Sequence, residues 1–269
     1  MNTDIVTIIF SRNRALQLDL NLNGFYKANE DTDLPEIKII YTYDAEHALS
    51  YQILQAEHPY PEFIKENNFK ADLLNALKDK KQVLFLVDDT LFCGTFSIEK
   101  IIKLLEIHKN ALGCSLRLGK NTHYCYPLNA HQPIPPIKYI EENFVIYDWT
   151  QAQLDFAYAL EVSSSLYQTK DILPILKNNN FSNPNSLESV LYANLNRFIR
   201  KPYLMCFNKS KAFSNPANRV QKTALTNRYS MKDKYNSSEL LLLYEEGFRV
   251  DYSKFFNVVP NGCHMEIDL

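Results

Sequence analysis

Two adjacent carboxylates, Asp88 and Asp89, follow five consecutive apolar residues, Val83 to Val87. An unpaired carboxylate is costly to bury, so both acids must stand at a strand end, in a cleft or on a cation. Carboxylates suit Mg2+ and Mn2+, and Mg2+ sites often use one or two protein carboxylates with phosphates and water completing the shell. The pair could therefore hold a divalent cation against the diphosphate of a nucleotide; an ordinary strand exit with a turn or cap aspartate is the alternative. A second group, Phe10-Ser11-Arg12-Asn13-Arg14, closes another apolar run. Backbone N–H groups at such a strand-to-helix turn attract anions, and either arginine could grip a diphosphate with two hydrogen bonds. A helix cap with exposed arginines is the alternative there. Thr42 and Tyr43 end a further β-rich run, where a base could stack, and Lys70 could reach phosphate from the start of a helix.

These residues need a scaffold that brings strand ends together. The run Val83–Val87 reads as a strand buried on both faces, as in a parallel sheet covered by helices. Asp4–Phe10 predicts the first strand, followed by a helix through Leu16, Leu20 and Phe25. Glu36–Tyr43 predicts the second strand, Val83–Val87 the third and Ala111–Leu118 the fourth. Helical spacing covers Ala45–Gln55, Phe69–Leu77 and Ser97–His108 between them. The pattern is α/β, with a mostly parallel central sheet and helices on both faces. In such sheets ligands bind beyond the carboxyl ends of the strands. The second half is less regular. Phe144–Trp149 and Phe156–Val162 read as strands, and Thr169–Leu176, Pro184–Ile199 and Ser237–Glu246 as helices. The polar stretch Phe207–Tyr235 reads as a surface loop, or as a lid over phosphates. No dinucleotide glycine fingerprint and no Walker loop is present.

Composition narrows the function classes. With a net charge of −2 and no strongly basic half, the chain is not expected to bind nucleic acid generally. Tyr and Phe number 17 and 16, which supplies many rings that could stack on bases or sugars as well as fill a core. No stretch of ~18 apolar residues predicts a membrane span, which leaves peripheral attachment open. The N-terminus shows no secretory pattern. Five widely spaced cysteines without a Cys-x-x-Cys pair read as reduced thiols of a cytoplasmic protein.

The strand ending in Ser11-Arg12-Asn13-Arg14, taken with Val83-Leu84-Phe85-Leu86-Val87-Asp88-Asp89, resembles the GT-A class of nucleotide-sugar-dependent glycosyltransferases. That class carries a DxD-type motif after an apolar strand; here Val87-Asp88-Asp89 lacks the first acid of the strict pattern and Asp88-Asp89-Thr90 the second. Phe181-Ser182-Asn183-Pro184-Asn185-Ser186-Leu187-Glu188 is similar to an Asn-Pro-Asn-x-x-Glu stretch of bacterial enzymes of this kind. The resemblance implies a Rossmann-like GT-A domain over residues 1–269, with a nucleotide-sugar half (1–118) and an acceptor-side half and tail (119–269). It implies a UDP- or GDP-sugar donor, an acceptor hydroxyl on a glycan, lipid-linked sugar or protein, and Mn2+ or Mg2+. Asp89 would be the metal ligand and Asp88 would hold ribose or a water. His264 in the tail would complete the metal site, where Gly262 would let the backbone approach a ligand. The remaining histidines show no ligand spacing. An inverting transfer needs a carboxylate base. Glu188 is favoured, with its pKa lowered by the helix dipole, ahead of Asp155; Asp148 and Glu161 are further carboxylates in that half. Two other readings stand beside this one. A sugar nucleotidyltransferase would normally carry a glycine-rich loop after the first strand, which Ser11–Arg14 lacks. A nucleotide- or sugar-binding protein could share the fold without catalysis.

Overall fold

The computed structural model describes residues 4–220, 228 and 235–269. The first half contains β1 (Ile5–Arg12), α1 (Ala15–Ala28), β2 (Glu36–Thr42), α2 (Ala48–Glu57), β3 (Glu62–Lys65), α3 (Phe69–Ala76), β4 (Gln82–Val87), β5 (Thr90–Phe92), α4 (Ile98–Ile107) and β6 (Ala111–Ser115). The second contains β7 (Tyr124–Cys125), β8 (Ala130–His131), β9 (Ile137–Glu141), β10 (Phe144–Asp148), β11 (Ser165–Gln168), α5 (Thr169–Asn178), α6 (Pro184–Ala193), β12 (Tyr203–Phe207), β13 (Ala212–Ser214) and α7 (Ser237–Glu245).

Nine strands form one sheet in the order β3-β2-β1-β4-β11-β6-β12-β10-β9. Only β10 and β11 run against the other seven, so the sheet is mostly parallel as expected. The unbroken apolar run of β4 follows from its place at the sheet centre. Leu84 and Leu86 enter one core with Leu16 and Phe25 of α1, Ile101 of α4 and Leu240 of α7. Val83 and Phe85 enter the opposite core with Leu73 of α3, Ile172 of α5 and Leu187 of α6. Neighbouring side chains on a strand point to opposite faces, so burial on both sides leaves no polar position until the strand ends.

Several elements differ from expectation. The acidic strand is the fourth, because Glu62–Lys65 adds an edge strand against β2. The segment Phe156–Val162 is not a strand. Leu154–Ala157 forms a short 3-10 turn, and the strand lies further on at Ser165–Gln168, antiparallel between β4 and β6. Phe156 and Val162 are apolar because they are buried, not because they alternate. The helix from Pro184 stops at Ala193, where Asn194 turns back onto the carbonyls of Leu191 and Tyr192, and a 3-10 turn follows at Leu195–Phe198. Within Phe207–Tyr235, Ala212–Ser214 pairs with β5. Residues 212–218 are buried and so are not the expected surface loop, because they pack beside β5 and the tail; 221–227 and 229–234 lie outside the described residues. All five cysteines are buried free thiols. Among the described residues no helix is long and apolar enough to cross a membrane.

Candidate active site

The register of the sheet brings the two motifs together. β1 and β4 run parallel with Phe10 beside Val87, so Ser11–Arg14 and Asp88–Asp89 leave the same edge as neighbours. Asn13 turns strand into helix at φ 53°, a left-handed conformation that Asn adopts more readily than most residues. Its side chain is fixed by exchange with Asp44, receiving the Asp44 N–H at 2.8 Å and donating to the carboxylate at 2.8 Å. Asn21, buried on α1, donates to the carbonyls of Val87 (3.2 Å) and Thr90 (2.8 Å) and so clamps both ends of the acidic turn. Asn21 carries no motif signature and was not anticipated from the sequence.

Arg14 is not placed to grip a diphosphate. Its Nη1 donates to Asp88 Oδ1 at 2.9 Å and to Asp89 Oδ2 at 3.0 Å. Its Nε and Nη2 donate to the side chain and carbonyl of Asn218 at 2.8 and 2.6 Å. The guanidinium is the counter-ion of the acid pair. Asp88 is saturated further, since its Oδ2 accepts the backbone N–H of Arg12 at 3.1 Å. The Arg12 side chain is 38% exposed, pairs with Asp44 at 3.3 Å and remains the arginine nearer to solvent. Asp89 is held above the usual carboxylate range, because burial outweighs the attraction of Arg14.

These groups line a cleft of about 410 Å³ together with Phe10, Ser11, Thr42, Glu188 and His264. Glu188 comes from α6, whose N-terminus is capped by Asn183 accepting the Ser186 N–H, with Pro184 in the first turn. Its Oε1 accepts the Val162 N–H at 3.2 Å, and Tyr158 lies beside it. The net shift is opposite to the lowering expected from the helix dipole. Burial, and then the charge of Glu161, push the Glu188 carboxyl up to about 7. Glu161 is itself satisfied by Arg117 Nη2 at 3.0 Å, the Ser164 N–H at 3.1 Å and the Ser165 hydroxyl. Arg117 was not anticipated; the only signal was a lone arginine between Leu116 and Leu118.

His264 reaches the cleft because its neighbours dock on β13. Ser214 N–H donates to the Cys263 carbonyl at 2.9 Å, and Met265 N–H to the Ser214 carbonyl at 3.0 Å. Its Nε2 faces Arg117 Nη1 at 3.3 Å and must accept that bond. Burial, then Arg117, lower its pKa to about 3, so the ring is neutral. Gly262 serves a close approach to protein, not to a ligand: an added Cβ would lie 2.2 Å from the Tyr124 carbonyl oxygen.

Three expected site residues do not join the cleft lining. Tyr43 packs on Tyr41 and Tyr51, with Lys65 over its ring, while Thr42 takes the cleft position. Lys70 donates to the carbonyls of Lys177 and Asn179 at 3.1 and 2.7 Å. Asp155 lines a separate cavity of about 20 Å³ with Arg117, Tyr158, Glu161 and Cys263. Among the described residues its Oδ2 and Arg117 Nε have no protein partner, and the space suits one bridging water.

The donor set fits a divalent cation only in part. Among the described residues no three His, Cys, Asp or Glu side chains converge as ligands. Asp89, 18% exposed, fits a cation completed by phosphate oxygens and water. His264 does not fit as placed, because a guanidinium occupies its Nε2.

The mixed sheet, with an acid pair at the carboxyl end of a central strand, defines a GT-A-type fold. It is similar to S. aureus TarS 1–349 in complex with UDP, with a TM-score of 0.50 and 14% identity over 94% of this chain and 68% of that one. In sequence the chain is similar to the bifunctional glycosyltransferase pgtA of Dictyostelium discoideum, 31% identical over 234 residues. That match covers 75% of this chain but only 30% of the relative's length. The mannosyltransferase PcManGT from Pyrobaculum calidifontis, in complex with GDP-Man and Mn2+, aligns more loosely, with a TM-score of 0.45 and 10% identity over 83% of this chain and 59% of that one. No family model matches the chain.

Proposed function

We propose that this chain is a glycosyltransferase that moves a sugar from a UDP- or GDP-sugar to a hydroxyl of a glycan, lipid-linked sugar or protein, with inversion. One observation carries the reading. A carboxylate with a pKa of about 7, Glu188, shares a cleft with the Ser11–Arg14 turn and the Asp88–Asp89 pair. A general base works best with its pKa near the operating pH. Glu188 takes the proton of the acceptor hydroxyl as its oxygen bonds to the sugar C1. The bond from C1 to the diphosphate breaks and its electron pair leaves with the nucleotide. Arg12 is the accessible cation for that anion. Asp89 would hold Mn2+ or Mg2+ with diphosphate oxygens and water; a bound cation supplies Lewis-acid stabilisation of the leaving group.

The bonds from Arg14 to both aspartates favour a second version, in which the guanidinium balances the acid pair and donor binding needs no metal. Thermal shifts with UDP, GDP and their sugars, with and without Mn2+, separate the two. Binding stabilises the folded state by mass action. A shift that needs Mn2+ and disappears in Asp89→Ala supports the cation; an equal shift without metal supports Arg14 alone. No shift with any nucleotide counts against a transferase. Nucleotide-induced shifts without hydrolysis or transfer across a donor panel would favour a binding protein.

A further inference from the structure

We propose that Tyr192 and Tyr158 form an acceptor platform, on which a pyranose ring of a saccharide stacks while presenting one hydroxyl to Glu188. This rests on Glu188 being the base in the reading above. Glu188 and Tyr192 stand four residues apart on α6 and share a face of the helix. Tyr158 lies beside Glu188; burial, and then the Glu188 charge, raise the pKa of the tyrosine hydroxyl. The rings of Tyr158 and Tyr192 stack with centroids 5.0 Å apart and planes 25° from parallel. The stacked pair therefore lies on the α6 side that carries Glu188 and ends at Tyr192, which is 55% exposed.

Among the described residues the other exposed tyrosines are tied down at their hydroxyls. Tyr60 donates to the carbonyls of Leu34 and Pro35, and Tyr139 bonds to Lys120 and Asn208. Among the described residues the Tyr192 hydroxyl forms no such bond, and with one ring face on Tyr158 the exposed part of the ring lies away from it. Stacking on Tyr158 already orders the Tyr192 ring, which lowers the entropy lost when a ligand packs on it. A pyranose matches this surface: its axial C–H face is apolar, and its hydroxyls project around the rim. An aromatic ring with a polar tip suits an apolar face with a wet edge. Transfer then proceeds as above, the acceptor O–H giving its proton to Glu188 as oxygen bonds to C1 and the diphosphate departs with the electron pair.

The test uses the full chain and methyl pyranosides of the gluco, galacto, manno and N-acetylglucosamine types at millimolar concentration, read by saturation-transfer NMR with UDP or GDP present. At least one pyranoside is expected to receive saturation on one ring face. Tyr192→Ala should reduce that signal at least fivefold, Tyr192→Phe should retain it, and Tyr139→Ala, an equally exposed control, should leave it unchanged. A signal that survives in Tyr192→Ala, or no signal with any pyranoside, overturns the platform. A sugar signal that depends on Tyr192, in a protein that no nucleotide stabilises, supports the platform and instead overturns the donor reading.

Discussion

Arg14 Nη1 lies 2.9 Å from Asp88 Oδ1 and joins the carboxyl ends of β1 and β4 through a buried ion pair. The same nitrogen holds Asp89 at 3.0 Å, so one guanidinium balances two acids. Breaking a buried pair from one side costs about 3–5 kcal/mol, since the remaining charge loses its partner. Arg14→Ala should therefore lower unfolding stability by roughly that amount at neutral pH, measured by urea denaturation. Without the arginine the two carboxylates ionise less readily in the folded state than in the unfolded chain. The loss should thus be larger at pH 8 than at pH 5; an equal loss at both would contradict the charge argument.

Glu188→Gln should reduce transfer by about 10²–10⁴-fold, the usual contribution of a general base. In the wild-type protein activity should rise with pH through an apparent pKa near 7. The stability sign runs the other way. The folded carboxyl holds its proton to about 7 while the unfolded one releases it near 4.5, so stability falls as pH rises across that window. Glu188→Gln should remove this fall, which thermal melts from pH 4 to pH 8 will show.

Glu161 raises the Glu188 pKa by like charge, and Arg117 opposes it. Glu161→Gln leaves Arg117 without its carboxylate, so both changes act in one direction. The acid limb of the kcat/KM profile should move to lower pH. The protein should also lose about 3–5 kcal/mol, as expected for a broken buried pair. A limb that stays near pH 7 would show that Glu161 does not tune the base.

Gly262→Ala places a methyl group against the Tyr124 carbonyl, within 2.2 Å. Relief requires the tail to shift, and His264 with it. Overpacking of this kind costs about 1–3 kcal/mol. Lower stability together with perturbed His264 ring resonances is the expected result; a variant as stable as the wild type would show that the tail gives way freely.

Much of the sheet edge that carries the acid pair was legible in the sequence. The run Val83–Val87 could be apolar throughout only if both faces were covered, and the acids had to follow where cover ended. β11 was not legible. It is four residues long, follows Ser163 and Ser164, and sits between two strands that precede it in the chain. Its position is set by the hydrogen-bonding edges of β4 and β6, not by a local pattern. Tyr43, Lys70 and Asp155 have suitable chemistry, but each spends it on neighbours outside the cleft.

By itself the sequence determined what depends on near neighbours: the α/β class, the apolar β4 run, the cap at Asn183 and the presence of an acid pair at a strand end. Those features follow from steric preference, side-chain alternation and the cost of burying charge. Only the tertiary structure decided which charges meet. Arg14 comes to Asp88 across 74 positions and Arg117 to Glu161 across 44, and both pairings depend on sheet register. The same holds for Glu188. Its helix was readable, but its pKa depends on surrounding burial and on a carboxylate from another loop, and both act through space.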